Sequence, residues 1–281
     1  MGEGNRKRRA VRRRGQDFVN RVGLTSPHTS ASSRRGWLFW VAMAEIATMG
    51  VLRSRLGISL PLLTALAAYA LTLAFGSGAL GDPDIYWHIV TGRWIIAHGG
   101  VPHQNLFSYT LPGVPWIAHE WLAEPLMAWL YDHFGWHGLV MMAAAGNAAT
   151  MAIFSRVLLR FLEPHHVLLV ATLAWLVLLQ HTLARPHIIA LPMMVAWVGA
   201  LVTARADGRA PPLVLALLMV PWVNLHGSFL FGLLMAGLFL LEAAVLAPTG
   251  AARWAAARDW ALFVAAAAVA SLVTPNGIIS A

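Results

Sequence analysis

The chain has 281 residues, 58% of them hydrophobic and only 11% charged, with a formal net charge of +8 and no cysteine. A water-soluble domain carries roughly 25% charged residues, so this composition excludes a soluble globular protein and leaves one that faces lipid over most of its surface. The lack of cysteine excludes disulfides and thiolate metal sites.

Residues 1–36 hold ten Lys/Arg against Glu3 and Asp17, whereas residues 37–281 balance ten basic with ten acidic side chains. The excess therefore belongs to one tail and is no nucleic-acid surface. A run of this kind is a solvated, disordered segment, here a cytoplasmic one that gains about 1 kcal/mol per basic residue beside anionic lipid. Residues 37–56 read as an interfacial helix. The apolar part, 37–52, is short, contains Glu45 and is flanked by Arg34, Arg35, Arg53 and Arg55; a full span is the alternative.

Residues 57–281 form the expected transmembrane domain. A spanning helix needs about 20 mostly apolar residues, and the candidate stretches are 59–78, 138–160, 166–183, 187–204, 212–226, 228–247 and 260–274. The expected fold is all-α, a polytopic bundle of about seven spans. With the N-terminus cytoplasmic, eight arginines (Arg53 and Arg55 just before this domain, and Arg156, Arg160, Arg205, Arg209, Arg253 and Arg258 within it) fall inside and only Arg93 and Arg185 outside, as the positive-inside bias requires.

The outer loop 79–137 is too polar to span and too aromatic for a linker. Two amphipathic helices are expected in it. The first covers 84–98, DIYWHIVTGRWIIAH, with Asp84, His88, Thr91 and His98 on one line. The second covers 117–133, IAHEWLAEPLMAWLYDH, where Glu120 and Glu124 share a face and Pro125 starts a turn or kinks the helix. The tryptophans at 87, 94, 116, 121, 129 and 136 suit an interface, and one or two suit stacking on a sugar ring.

Polar groups gather on the outer side, and ionisable groups at membrane depth are costly and usually functional. Asp82 and Asp84 offer a general base, ligands for a divalent cation, or a helix cap; capping accounts for one carboxylate, not both. His88, one turn after Asp84, suits an Asp–His pair or a shared metal, or is an interfacial histidine. His119-Glu120 does not begin a zinc-protease motif, because Ala123 stands where the second histidine is needed. Glu120 is a supporting acid or a solvated one. Arg185, with His187 beside it, runs against the charge bias, as a phosphate ligand or a headgroup contact would. Asn224 and His226 turn between two spans at the same level, where they bind a sugar or phosphate or satisfy the turn.

The run GDPDIYWHIVTGRWIIAHGGVPHQNLFSYTLPGVPWIAHEWLAE, with LARPHI, WVNLHGSFLFGL and a TPNG turn, resembles bacterial members of the C-type (GT-C) glycosyltransferase superfamily, relatives of the dolichyl-phosphate-mannose–protein mannosyltransferases. The likeness covers about residues 59–281. It implies a multi-pass inner (plasma) membrane enzyme that moves a sugar from a polyprenyl-phosphate donor to an acceptor at the outer face. The implied base is Asp84, with Asp82 as competitor. Arg185 and His187 would meet the departing phosphate, and His88 would orient the carboxylate or, with Asp82 and Asp84, hold a divalent metal ion. Glu120, His119, Asn224 and His226 would complete the substrate site. Family members carry more spans, so the chain reads as C-terminally truncated after TPNG. The alternative reading is a non-catalytic membrane protein: a transporter, or an inactive lipid-binding remnant.

Overall fold

A computed structural model of the chain describes residues 59–246 and 250–277; the basic tail 1–36 and the interfacial helix expected at 37–56 lie outside the described residues. The described part is all-helical, 75% helix with no strand. Two loop segments touch through an isolated antiparallel bridge, Gln104 to Pro115.

Helix α1 (Leu60–Ala74) starts on Ser59, whose hydroxyl accepts the Leu62 N–H, and Pro61 lies in its first turn. The short α2 (Gly76–Ala79) continues it. Helix α3 (Asp84–His98) has the bounds the sequence predicts and stops at Gly99, in the left-handed conformation at φ 64°.

Helix α4 (Ala123–Leu158) joins the second loop helix to the apolar stretch expected at 138–160. Gly135, at φ 59° and ψ −147°, breaks the rod between the two. The loop helix was expected from residue 117 and begins at Ala123. Pro125 is the third helical residue, where a missing N–H costs nothing because no intrahelical acceptor exists there. It therefore marks a start rather than a kink. Just upstream, the Leu122 N–H is donated to the Asn224 carbonyl at 3.1 Å, and 116–122 run as loop and turns.

Helix α5 (Pro164–Leu178) tightens into a 3-10 turn, Leu179–His181. Helix α6 (Pro186–Ala206) runs unbroken through Pro192. The stretch expected at 212–226 divides into a 3-10 turn, Leu213–Leu218, and α7 (Met219–Leu225). Pro221 sits in the first turn of α7, where its missing N–H is again harmless. Helix α8 (Phe229–Leu246) follows. Helix α9 (Gly250–Ala270) starts ten residues before the apolar stretch expected at 260–274. Alanine-rich sequence has the strongest helix propensity, so AARWAAARDW is helical despite its charges.

Among the described residues four helices are long and apolar enough to cross a bilayer: Ala123–Leu158, Pro164–His181, Pro186–Ala206 and Phe229–Leu246. Leu60–Ala74 and Leu213–Leu225 are apolar but shorter. Along α8, Leu230, Phe231, Leu234, Leu238 and Leu241 are exposed, a face that lipid covers. The protein is thus a polytopic membrane helix bundle.

Helix α4 is the hub, packing on α1, α3 and α6. At Gly146 a Cβ would lie 2.4 Å from the Ile188 carbonyl oxygen, so a small residue lets α4 and α6 meet backbone to backbone. Ile85, Ile89, Met127, Leu139 and Ile188 form one core that fixes α3 and α4 against the start of α6. Trp197, Trp222, Trp260 and Phe263 centre a second. The connections 79–84, 116–122, 182–186 and 226–228 gather at one end of the bundle. At the opposite end Arg160 pairs with Asp207, and Arg205 with Glu242 at 3.1 Å.

Candidate functional site

The site grows from two connections stitched by main chain: the Ala184 N–H donates to the Ala79 carbonyl at 2.8 Å. That bond sets Arg185, extended before Pro186, beside the start of α3. Asp82 Oδ1 accepts the Asp84 N–H at 2.9 Å, serving the first turn of α3. Its Oδ2 accepts from Arg185 Nη1 at 2.8 Å, and Arg185 Nη2 lies 2.8 Å from Asp84 Oδ2. One guanidinium thus bridges both aspartates. The Asp84 N–H, then the Arg185 charge, hold the Asp82 carboxyl below its ordinary range.

Deeper lies a line of alternating acids and imidazoles. His88, 4% exposed, does not pair with Asp84, as its spacing allowed. Asp84 turns to Arg185, and His88 faces the other way. Its Nδ1 is 3.3 Å from Glu124 Oε1, and its Nε2 is 3.6 Å from Glu120 Oε2. Glu120 Oε1 is in turn 3.6 Å from His226 Nε2. His226 Nδ1 accepts the Ser228 N–H at 3.1 Å, so a neutral His226 ring carries its proton on Nε2, toward Glu120. Burial pushes the Glu120 carboxyl up, against the pull of His88. Burial, with His187 and Arg185 adding to it, pushes His226 down to about 4.

These groups face a cavity of about 640 Å³. Trp87 and Trp116 form one wall, in edge-to-face contact with centroids 5.5 Å apart; His88, Glu120 and Glu124 line the interior, and Asp84 and Arg185 its exposed side. A cavity of this volume has room for a small polar ligand, with carboxylates and imidazoles to meet hydroxyls and a guanidinium to meet an anion.

Of the residues singled out from the sequence, Asp84, His88, His119, Glu120, Arg185 and His226 line this cavity. Asp82 stands behind them and anchors Arg185. His187 and Asn224 do not line it. His187 Nε2 donates to the His181 carbonyl at 2.9 Å, with its ring 6.0 Å from that of His226. Asn224 is a staple: its Oδ1 accepts from Trp121 Nε1 at 2.7 Å, and its Nδ2 donates to Val220 and Val273 carbonyls at 2.7 and 2.8 Å. Three further lining residues were not singled out from the sequence as site residues. Glu124 shared a face with Glu120 on paper, but its burial at 2% exposed was the missing signal. Trp87 and Trp116 were two tryptophans among six.

The metal set Asp82, Asp84 and His88 is not assembled. Arg185 occupies both aspartates, His88 points to glutamates, and among the described residues no group of three or more His, Asp or Glu is arranged around a common point. Compared with protein-family models, with curated protein sequences and with solved structures, the chain gives no match.

Proposed function

We propose that the protein is a membrane glycosyltransferase that moves a sugar from a polyprenyl-phosphate donor to an acceptor at the outer face of the plasma membrane, with the N-terminus cytoplasmic. The observation that carries this reading is the Arg185 guanidinium spanning Asp82 and Asp84 beside the cavity at one end of an apolar bundle. Donors of this kind have a tail that lies among lipid and a headgroup at the interface, so only the headgroup needs a polar site.

The two arms of the arginine are unequal. The Asp82 side chain is 15% exposed and also holds the α3 backbone, whereas that of Asp84 is 57% exposed. An incoming phosphate displaces Asp84 from Nη2 and leaves Asp82 as the fixed anchor. The arginine then stabilises charge on the departing lipid phosphate. Asp84, the base implied by the family likeness, spends the resting state as a counter-ion. The acceptor's proton goes to a group inside the cavity, and the acceptor oxygen attacks the anomeric carbon.

A transporter needs its ionisable groups near mid-bilayer at broken helices. Here they lie at helix ends, and α6 is continuous through Pro192, which favours the transferase reading.

The test is transfer of radiolabelled sugar from synthetic polyprenyl-phosphate sugars by the full chain in nanodiscs. Arg185→Gln is expected to lower turnover by about 10²-fold or more, the scale of a lost oxyanion donor, with membrane insertion intact. Donor turnover unchanged by Arg185→Gln would remove the proposed phosphate contact.

A further inference from the structure

We infer that His88, oriented by the buried carboxylate of Glu124, is the proton acceptor of the cavity, and that Glu124 is its positioning residue. The transferase reading enters only as the source of the proton; the paired arrangement stands on geometry.

Glu124 Oε1 lies 3.3 Å from His88 Nδ1. The other ring nitrogen, Nε2, is buried without a hydrogen-bond partner, and His88 lines the cavity. A carboxylate on one imidazole nitrogen fixes the tautomer that leaves the opposite nitrogen bare and aimed at substrate. Glu124 is 2% exposed and its Oε2 has no partner. An acid buried against a single imidazole is costly for stability, which favours a functional reason for it.

The backbone is built to make this contact. Gly92 follows His88 by one helical turn, and a Cβ there would sit 2.0 Å from the Glu124 carbonyl oxygen. Only a glycine lets α3 come this close to the first turn of α4. Asp84, by contrast, is exposed and committed to Arg185.

The groups around His88 come from five places. Glu124 comes from α4 and Glu120 from the preceding turn. Arg185 precedes α6 and His226 precedes α8. Asp82 and Asp84 stand at the start of its own helix. His226 aims its Nε2 at Glu120 rather than at His88.

In the transfer step the acceptor O–H bond breaks and its proton forms an N–H bond on His88 Nε2. The acceptor oxygen bonds to the anomeric carbon. The bond from that carbon to the phosphate oxygen breaks, and its electron pair leaves on the lipid phosphate beside Arg185. Glu124 stabilises the imidazolium through Nδ1–H. The proton then passes from Nε2 to Glu120 Oε2, 3.6 Å away, and from that partly exposed carboxylate to water.

The first experiment needs no substrate. Nitrogen-15 spectra of histidine-labelled full-length chain in nanodiscs, with His88 assigned by His88→Gln, report its tautomer at alkaline pH. Expected is a ring protonated at Nδ1 and bare at Nε2, with this bias lost in Glu124→Gln and kept in Glu124→Asp. Gly92→Ala removes neither group and is expected to lose the same bias by pushing the helices apart. A ring protonated at Nε2, or one indifferent to both Glu124→Gln and Gly92→Ala, overturns the inference. In the transfer assay Glu124→Gln is expected to lower kcat by about 10²-fold or more, leave KM unchanged and move the acid limb of the rate profile to lower pH. A full-rate Glu124→Gln enzyme, or an acid limb that does not move, also overturns it. Wild-type chain with the expected tautomer but no transfer from any donor supports the pair and counts against the transferase reading alone.

Discussion

Asp82 and Asn224 each satisfy several partners with one small side chain, and their substitutions should fail in different ways. Asp82→Asn keeps an acceptor for the Asp84 N–H but removes the charge that fixes Arg185. It is expected to weaken donor binding while helix content by circular dichroism stays unchanged. Asn224→Ala leaves Trp121 Nε1 and the Val273 carbonyl without the partners they have here, while the Val220 carbonyl keeps its helical bond. Each unsatisfied buried group costs about 1–3 kcal/mol, so a loss of roughly 2 kcal/mol or more is expected in denaturant unfolding of the purified chain. At this scale the sequence was legible where a residue's mere presence was the signal. Asp82, Asp84, His88, Glu120 and Arg185 are ionisable groups in an apolar chain, and they meet. It was not legible where the role depends on a remote partner. Asn224 looked like a ligand until its bonds to Trp121 and Val273, 103 and 49 residues away, came into view. His88 read as a partner of Asp84 because i,i+4 spacing is visible in sequence, whereas Glu124, 36 residues on, is not.

Helix α3 was readable to the residue because its 3.6-residue polar line and the Gly99 stop coincide. The helix expected from 117 was misread at its start, because the periodicity of IAHEWLAE continues through residues whose backbone is claimed by the turn at Asn224. The break at Gly135 falls between the helix expected to end at 133 and the span expected from 138, so the boundary was legible. The Gly135 φ of 59° with ψ of −147° is a conformation open essentially only to glycine. Gly135→Ala is expected to cost about 1–3 kcal/mol and to re-aim the half of α4 that carries Glu124. Chemical unfolding together with the His88 tautomer would register both effects. Absence of either change would mean that the two halves of α4 are not set by this bend.

For the molecule as a whole, composition and hydropathy sufficed for an all-helical membrane bundle. Length misled in two places: one apolar stretch divides into a 3-10 turn and a short helix, and alanine-rich sequence extended α9 into charged residues. Stability of the folded chain should respond to acid through the outer site. His226 is held at about 4 against an ordinary 6.5, so between these values the unfolded chain takes up a proton that the folded chain refuses. Its contribution is full above 6.5 and is lost as pH falls toward 4. Asp82, held low, likewise stabilises at neutral pH and loses that effect in stronger acid. Glu120, held high, acts in the opposite sense: it favours the fold when protonated, and that favour is lost as pH rises through its raised value. The expected result is a melting temperature that drops on acidification from pH 6.5, with a shallower slope in His226→Gln. An equal slope in that variant would assign the loss to other groups.

The bond from Ala184 N–H to the Ala79 carbonyl is made by peptide groups alone. Only a proline at 184 would remove its donor, so the two connections stay registered even when charges beside them are removed. Charge-neutral replacements at 82, 84 and 185 should accordingly yield intact proteins whose defects belong to chemistry. That makes this corner of the molecule unusually suited to dissection by charge reversal: exchanging the signs of Asp82 and Arg185 together should rebuild the contact that either change alone destroys.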